Sequence, residues 1–204
     1  MRYFSNIIIM FKRISLILSV LVLFVIVRVV PAYLGQPTAE ALANISPFAA
    51  LALCGGMMLP IRTAVILTFG TFIISDILLN LNYGQPIINY HSFFLLVLFS
   101  LIFTCGYLLR KRKKVSVLLG STIVSSILFY ILMNSVSFFM DPNYSKNITG
   151  WIQANTTGLP EYPPAWLFGI RTLLSNSIFA LIFYFALSPK SDTLIEEHDL
   201  PQTT

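Results

Sequence analysis

The sequence predicts an all-α fold, a polytopic membrane helix bundle of about six transmembrane helices. Three observations predict it. Of the 204 residues, 56% are hydrophobic and only 10% are charged, whereas an ordinary soluble domain carries roughly a quarter charged residues. Apolar runs long enough to cross a bilayer recur along the chain, and the basic residues between them fall in alternate connections. With a mean hydropathy of +0.81, the chain lacks the polar surface that water requires, and lipid is its expected solvent.

The predicted spans, in order, are Ile14–Val30, Ile45–Leu59, Thr63–Leu81, Ile88–Leu109, Val115–Met140 and Ala165–Leu187. The first has a basic start that resembles a signal peptide, but it runs into Arg28 and Pro31 without a small-x-small cleavage pattern and reads as a retained helix. The second is the shortest, contains Gly55-Gly56 and ends at Pro60, so a short, broken or re-entrant helix inside the bundle is expected. Its small residues Ala49, Ala50, Ala52, Gly55 and Gly56 permit close helix approach, as do Ser15 and Ser19 at the inner end of the first span. These boundaries divide the chain into an N-terminal segment 1–13, a transmembrane domain 14–187 and a polar tail 188–204 expected to be disordered.

Lysine and arginine favour cytoplasmic loops, which turns the alternation of the connections into a topology. Arg2, Lys12 and Arg13, then Arg62, then the run Arg110 to Lys114, then Lys190 all fall on one side if there are six spans. The opposite connections carry Lys146 as their basic residue. Both termini are therefore expected in the cytoplasm, with the protein in a bacterial plasma membrane. The outer loop Asp141–Pro164, rich in Pro, Tyr and Trp, reads as an ordered lid or interfacial cap. Its two Asn-x-Thr sequons, at Asn147 and Asn155, are expected to be accidental in a bacterial protein.

The net charge of +5 does not imply nucleic acid, because the basic residues flank apolar segments. Cys54 and Cys105 lie in apolar runs and give neither a metal pattern nor a disulfide framework. His91, a single histidine at the start of a span with no second ligand, reads as an interfacial residue, and no metal or cofactor is expected. Asp76 and His91 have no nucleophile motif beside them, so enzyme chemistry is not expected.

Ionisable groups at membrane depth cost at least a few kcal/mol and call for a partner or a purpose. Arg28, Asp76 and Arg171 are such groups. Asp76 and Arg171 each lie about six residues, roughly 9 Å, below the outer face at 1.5 Å per residue. Asn134 falls in the same layer and Arg28 a turn above it; Asn80 and Ser175 follow Asp76 and Arg171 at i+4. Such a layer fits an outward-facing pocket for a small polar solute, with the arginines for a carboxylate or carbonyl and Asp76 for an amine or hydroxyl. The plainer reading is a buried Arg171–Asp76 ion pair that fixes helix register.

Asn44-Ile45-Ser46-Pro47 with Ala49 to Leu53 and Gly55-Gly56, then Ser75-Asp76, Asn134, Trp151 and Gly158-Leu159-Pro160, carry a family resemblance. From about Arg28 to Leu187 the chain resembles a family of small, uncharacterised bacterial membrane proteins whose architecture is similar to the substrate-binding S components of energy-coupling factor (ECF) vitamin transporters. The resemblance implies a six-helix bundle with a solute site near the outer face, and a transmembrane coupling subunit with ATPases as partner. The candidate substrate-binding set is then Arg28, Asn44, Asp76, Asn80, Asn134, Arg171 and Ser175. A solute-binding uptake subunit is the expected function, with a non-transporting scaffold or assembly protein as the alternative.

Overall fold

The computed structural model describes residues 15, 19, 22–23, 25–35, 45 and 47–187. Among these the chain is helical with no strand, and seven helices can be numbered: α1 Val25–Leu34, α2 Phe48–Met58, α3 Ile61–Asn82, α4 Tyr90–Leu108, α5 Val115–Met140, α6 Ile148–Ala154 and α7 Ala165–Leu187. Four of them, α3, α4, α5 and α7, are long and apolar enough to cross a membrane. Among the described residues the protein is an all-helical membrane bundle. Part of the expected first span, lying wholly before Val25, and the whole 188–204 tail lie outside the described residues.

The expected bounds of the fifth and sixth spans coincide with α5 and α7, and those of the third and fourth differ from α3 and α4 by one or two residues. The second span is the informative one. It is an unbroken helix of 11 residues, about 16 Å at 1.5 Å per residue, and so half the thickness of the hydrocarbon core. Every residue from Phe48 to Met57 is buried. The helix is the axis of the bundle, packed chiefly on α4 and also on α7, while α5 pairs with α7.

Gly55-Gly56 does not break α2; it sets how closely the helices approach. A Cβ on Gly56 would run into the Phe103 carbonyl oxygen, and a Cβ on Gly106 of α4 into the carbonyl of Leu53. The backbones therefore touch, which two apolar side chains would forbid. At its C-terminus α2 has orphan carbonyls, as every helix does, and Arg110 satisfies two of them. Its Nε donates to the Gly56 oxygen at 2.7 Å and its Nη2 to that of Leu59. Pro60 then turns the chain into α3.

In α3 the turn Ile66–Gly70 is a π-helix, a wide turn that apolar periodicity does not announce and that recurs at functional positions in other proteins. Thr68 sits in it, fully buried against Gly55. Beyond the π turn, α3 buries Thr71, Phe72, Ser75, Asp76 and Asn80, a stripe at helical spacing directed at the bundle interior. Phe72 meets Phe48 of α2 edge-on at 5.8 Å and Phe99 of α4 at 5.2 Å. Phe99 in turn stacks on Phe129 of α5 at 5.7 Å.

The 141–164 connection is an ordered cap over the C-terminal end of α5. Lys146 donates to the carbonyls of Phe138 and Asp141, closing the C-terminus of α5. Asn147 caps α6 through the Gly150 N–H, and Trp151 Nε1 donates to Ser135 Oγ at 2.9 Å. Tyr130 Oη donates to the Asn155 carbonyl at 2.6 Å, fastening the far end of α6 to α5.

Candidate functional site

Arg28, on α1, reaches across to α3. Its Nη1 donates to Ser75 Oγ at 2.7 Å and its Nη2 to Asp76 Oδ1 at 2.9 Å. The guanidinium lies 5.1 Å from the ring centroid of Phe48 and 5.2 Å from that of Phe72, so two aromatic rings supply cation–π attraction where water is excluded. The ion-pair partner of Asp76 among the described residues is therefore Arg28, from the neighbouring α1, and not Arg171 of α7.

From Asp76 the polar contacts run towards the N-terminus of α4. Asn80 Nδ2, on the next turn of α3, is 3.2 Å from Asp76 Oδ2 and also from the Ile87 carbonyl and Ser92 Oγ. Asn89 Nδ2 donates to Asn80 Oδ1 at 3.1 Å, and the Asn89 side chain accepts from the Ser92 N–H as the N-cap of α4. Asp76 and Asn80 thus form one buried thread from Arg28 to the N-terminal end of α4, satisfied by groups on both helices.

Beside this thread lies a cavity of about 170 Å³ lined by Arg28, Ala49, Leu95, Phe99, Phe129 and Met133, with His91, Thr172 and Asn176 as further polar groups. Arg28 links the thread to the cavity. His91 is exposed, whereas Thr172 and Asn176 are buried. Asn176 Nδ2 donates to Ser126 Oγ at 3.0 Å, and its Oδ1 has no hydrogen-bond partner among the described residues. A buried amide oxygen left in that state costs about 1–3 kcal/mol, which a ligand donor would offset.

The candidate residues divide as follows. Arg28, Asp76 and Asn80 are joined in the thread, and among the described candidates Arg28 alone lines the cavity. Asn134 donates to the Tyr130 carbonyl of its own helix at 3.0 Å. Ser175 is buried and Arg171 half-buried on α7. Asn44 lies outside the described residues. Thr172 and Asn176 were not anticipated by sequence reasoning. They follow Arg171 and Ser175 by one residue, a rotation of about 100° around the helix at 3.6 residues per turn. The signal was present: a lone amide in an apolar helix, four residues after a threonine.

A larger recess of about 370 Å³ lies between α5 and α7, lined by Ser126, Ile127, Tyr130, Ile131, Asn155, Trp166, Gly169, Ile170 and Leu173. Ser126 borders this recess and accepts the hydrogen bond of Asn176 in the cavity, so one side-chain contact stands between the two spaces. The described residues contain no cluster of three or more potential metal ligands.

No curated protein and no solved structure matches the chain. A family of unknown function, DUF6580, matches residues 9–194. That range takes in every described helix, the Arg28–Asp76 pair and all the residues that line the cavity, and the chain belongs to this family.

Proposed function

We propose that the protein is a membrane-embedded solute-binding subunit that takes up a small polar or vitamin-like molecule from outside the cell. The observation that carries this reading is the cavity between α1, α2, α4, α5 and α7, where apolar walls surround a few convergent polar groups. Such a composition suits recognition of a small ligand by shape and two or three hydrogen bonds. The Arg28 charge is balanced by Asp76 at 2.9 Å, so the solute that matches these groups is uncharged overall. It would have a flat apolar body against Phe99 and Phe129, an acceptor for Arg28 and a donor for the Asn176 oxygen. In this reading the protein resides in a bacterial plasma membrane with both termini cytoplasmic, has no catalytic function, and works with a transmembrane coupling subunit and ATPases.

Thermal-shift screening of the purified protein against vitamins and nucleobases tests the proposal. A ligand at about a hundred times its Kd stabilises the state it binds by about 2.7 kcal/mol, a readily measured rise in Tm. At least one compound is expected to raise the Tm of the wild type and to lose that effect in Arg28→Met and in Asn176→Leu. Failure of the whole panel to shift the wild type would count against the proposal.

A second reading, a non-transporting scaffold, is favoured by one observation: the Arg28–Asp76 pair ties α1 to α3 directly. In that case Asp76→Asn lowers stability and no ligand effect exists to be lost.

A further inference from the structure

The turn between α4 and α5 carries five consecutive basic residues, Arg110 to Lys114, and the structure gives the first a different role from the other four. Arg110 is drawn inward to the Gly56 and Leu59 carbonyls at the end of α2 and lies 4.6 Å from the centroid of the Tyr107 ring. Lys111, Arg112, Lys113 and Lys114 are exposed. The backbone beneath them is fastened. Arg112 N donates to the Leu109 carbonyl at 2.8 Å and Lys114 N to that of Arg112 at 2.7 Å. From α7, Tyr184 Oη donates to the Lys113 carbonyl at 3.1 Å. Four cations therefore project from a turn held by α2 on one side and α7 on the other.

Arg62, exposed on the first turn of α3, adds a fifth cation three residues after Leu59, whose carbonyl Arg110 holds. The three acidic residues among the described ones lie elsewhere: Asp76 is within α3, and Asp141 and Glu161 are past the opposite end of α5. Beside the turn, Tyr107 and Leu108 are 46% and 74% exposed. Exposed apolar and aromatic side chains next to cations that no described carboxylate compensates, at the end of membrane-spanning helices, mark the level of lipid headgroups.

We infer that this turn, with Arg62, is a binding site for the phosphate headgroup of an anionic phospholipid. Orientation during insertion needs only the basic residues in the loop. It does not need the loop clamped at Lys113, nor Arg110 separated from its neighbours. The clamps keep the four remaining side chains together at one interface, which lowers the entropy lost when a headgroup is bound. Each base near an anionic surface is worth roughly fivefold in affinity.

The test uses the full-length protein in nonionic detergent, titrated with phosphatidylglycerol or phosphatidylcholine, with Tm and lipids retained in native mass spectrometry as readouts. Phosphatidylglycerol is expected to be retained and to raise Tm, phosphatidylcholine to do neither, and added salt to weaken the effect. The variant K111Q/R112Q/K113Q/K114Q should bind phosphatidylglycerol at least roughly tenfold more weakly, and the charge-preserving K111R/R112K/K113R/K114R should retain binding. Deleting residues 188–204, which contain Asp192, Glu196, Glu197 and Asp199, should not weaken it. Equal retention of the two lipids, salt-independent binding by the wild type, or full binding by the glutamine variant overturns the inference. So does protection by inorganic phosphate alone, which would make the ligand a soluble anion. If the glutamine variant does not insert, the lipid preference and salt dependence of the wild type still decide the matter.

Discussion

Replacing Asp76 with asparagine removes one negative charge and almost no volume; with the amide oxygen kept on Arg28, its NH2 takes the place of the oxygen that accepts from Asn80, so the variant tests chiefly the electrostatic part of the contact between α1 and α3. The side chains of Arg28 and Asp76 are 13% and 9% exposed. Removing one partner of a buried pair costs about 3–5 kcal/mol, because the other charge is left uncompensated. Here that cost is reduced by the Ser75 hydroxyl at 2.7 Å and by the rings of Phe48 and Phe72, all of which stay in place. A cation–π contact is worth about 0.5–2 kcal/mol, and the new amide can still accept a hydrogen bond from Arg28. The expected loss is thus about 2 kcal/mol, roughly a thirtyfold change in the folding equilibrium at 1.4 kcal/mol per decade. Denaturant unfolding in detergent micelles, followed by tryptophan fluorescence, measures it. The double variant Arg28→Met/Asp76→Leu should recover most of the loss, since an apolar pair of similar volume has no charge to leave unpaired. A loss below about 0.5 kcal/mol in Asp76→Asn, within the range of ordinary surface changes, would refute the argument that α1 is held to α3 by this pair.

Four further outcomes follow from the packing, the first three read in thermal melts. Gly56→Ala and Gly106→Ala should each lower stability by about 1–3 kcal/mol, the usual cost of overpacking, because each new methyl meets a backbone carbonyl of the facing helix. Gly120→Ala, with nothing within 4 Å of its Cβ position, should be neutral or stabilising by up to about 1 kcal/mol in the same thermal melts. Arg110→Lys should recover only part of the stability lost in Arg110→Met, as a single ammonium does not reproduce the fork that serves the Gly56 and Leu59 carbonyls at once. In the 141–164 cap, Trp151→Phe removes the bond to Ser135 Oγ at a cost of about 1 kcal/mol. It should hasten limited proteolysis between residues 141 and 164 while leaving the helices intact by circular dichroism.

The helices were legible where the sequence carries a single, uninterrupted signal. Val115–Met140 and Ala165–Leu187 are long apolar runs bounded by a basic cluster, an aspartate, a proline pair and a serine-proline, and their expected limits are the observed ones. The π turn at Ile66–Gly70 left no such trace, because one extra residue per turn alters which side chains face inward without altering the hydropathy of the run. The buried position of α2 was only half legible. Its length marked it as a short, broken or re-entrant span and its glycines showed that something came close, but the unbroken helix and the identity of the neighbour depend on the fold. Gly106, the other half of that contact, sits fifty residues away in an otherwise unremarked helix.

The polar interior shows the same limit at the scale of one residue. Depth along a helix can be counted from its end with an error of a few ångströms, so Asp76, Asn80 and Arg28 could be assigned to neighbouring layers from their spacing to the membrane face. Azimuth is less forgiving. Each residue turns the direction of the side chain by about 100°, and in a helix apolar on every side no hydrophobic face reveals which direction points inward. On α3 the polar residues themselves mark the inward face: Ser75, Asp76 and Asn80 share it with Thr71. On α7 two polar pairs compete, Arg171 with Ser175 and Thr172 with Asn176, and both satisfy i, i+4 spacing. Only the second pair lines the cavity, opposite Phe129 and Met133 of α5. The choice between the pairs depends on how α7 is rotated against α5, and that rotation follows from contacts such as Ser126–Asn176. Each partner of that contact appears, in its own helix, as one more small polar residue among apolar neighbours.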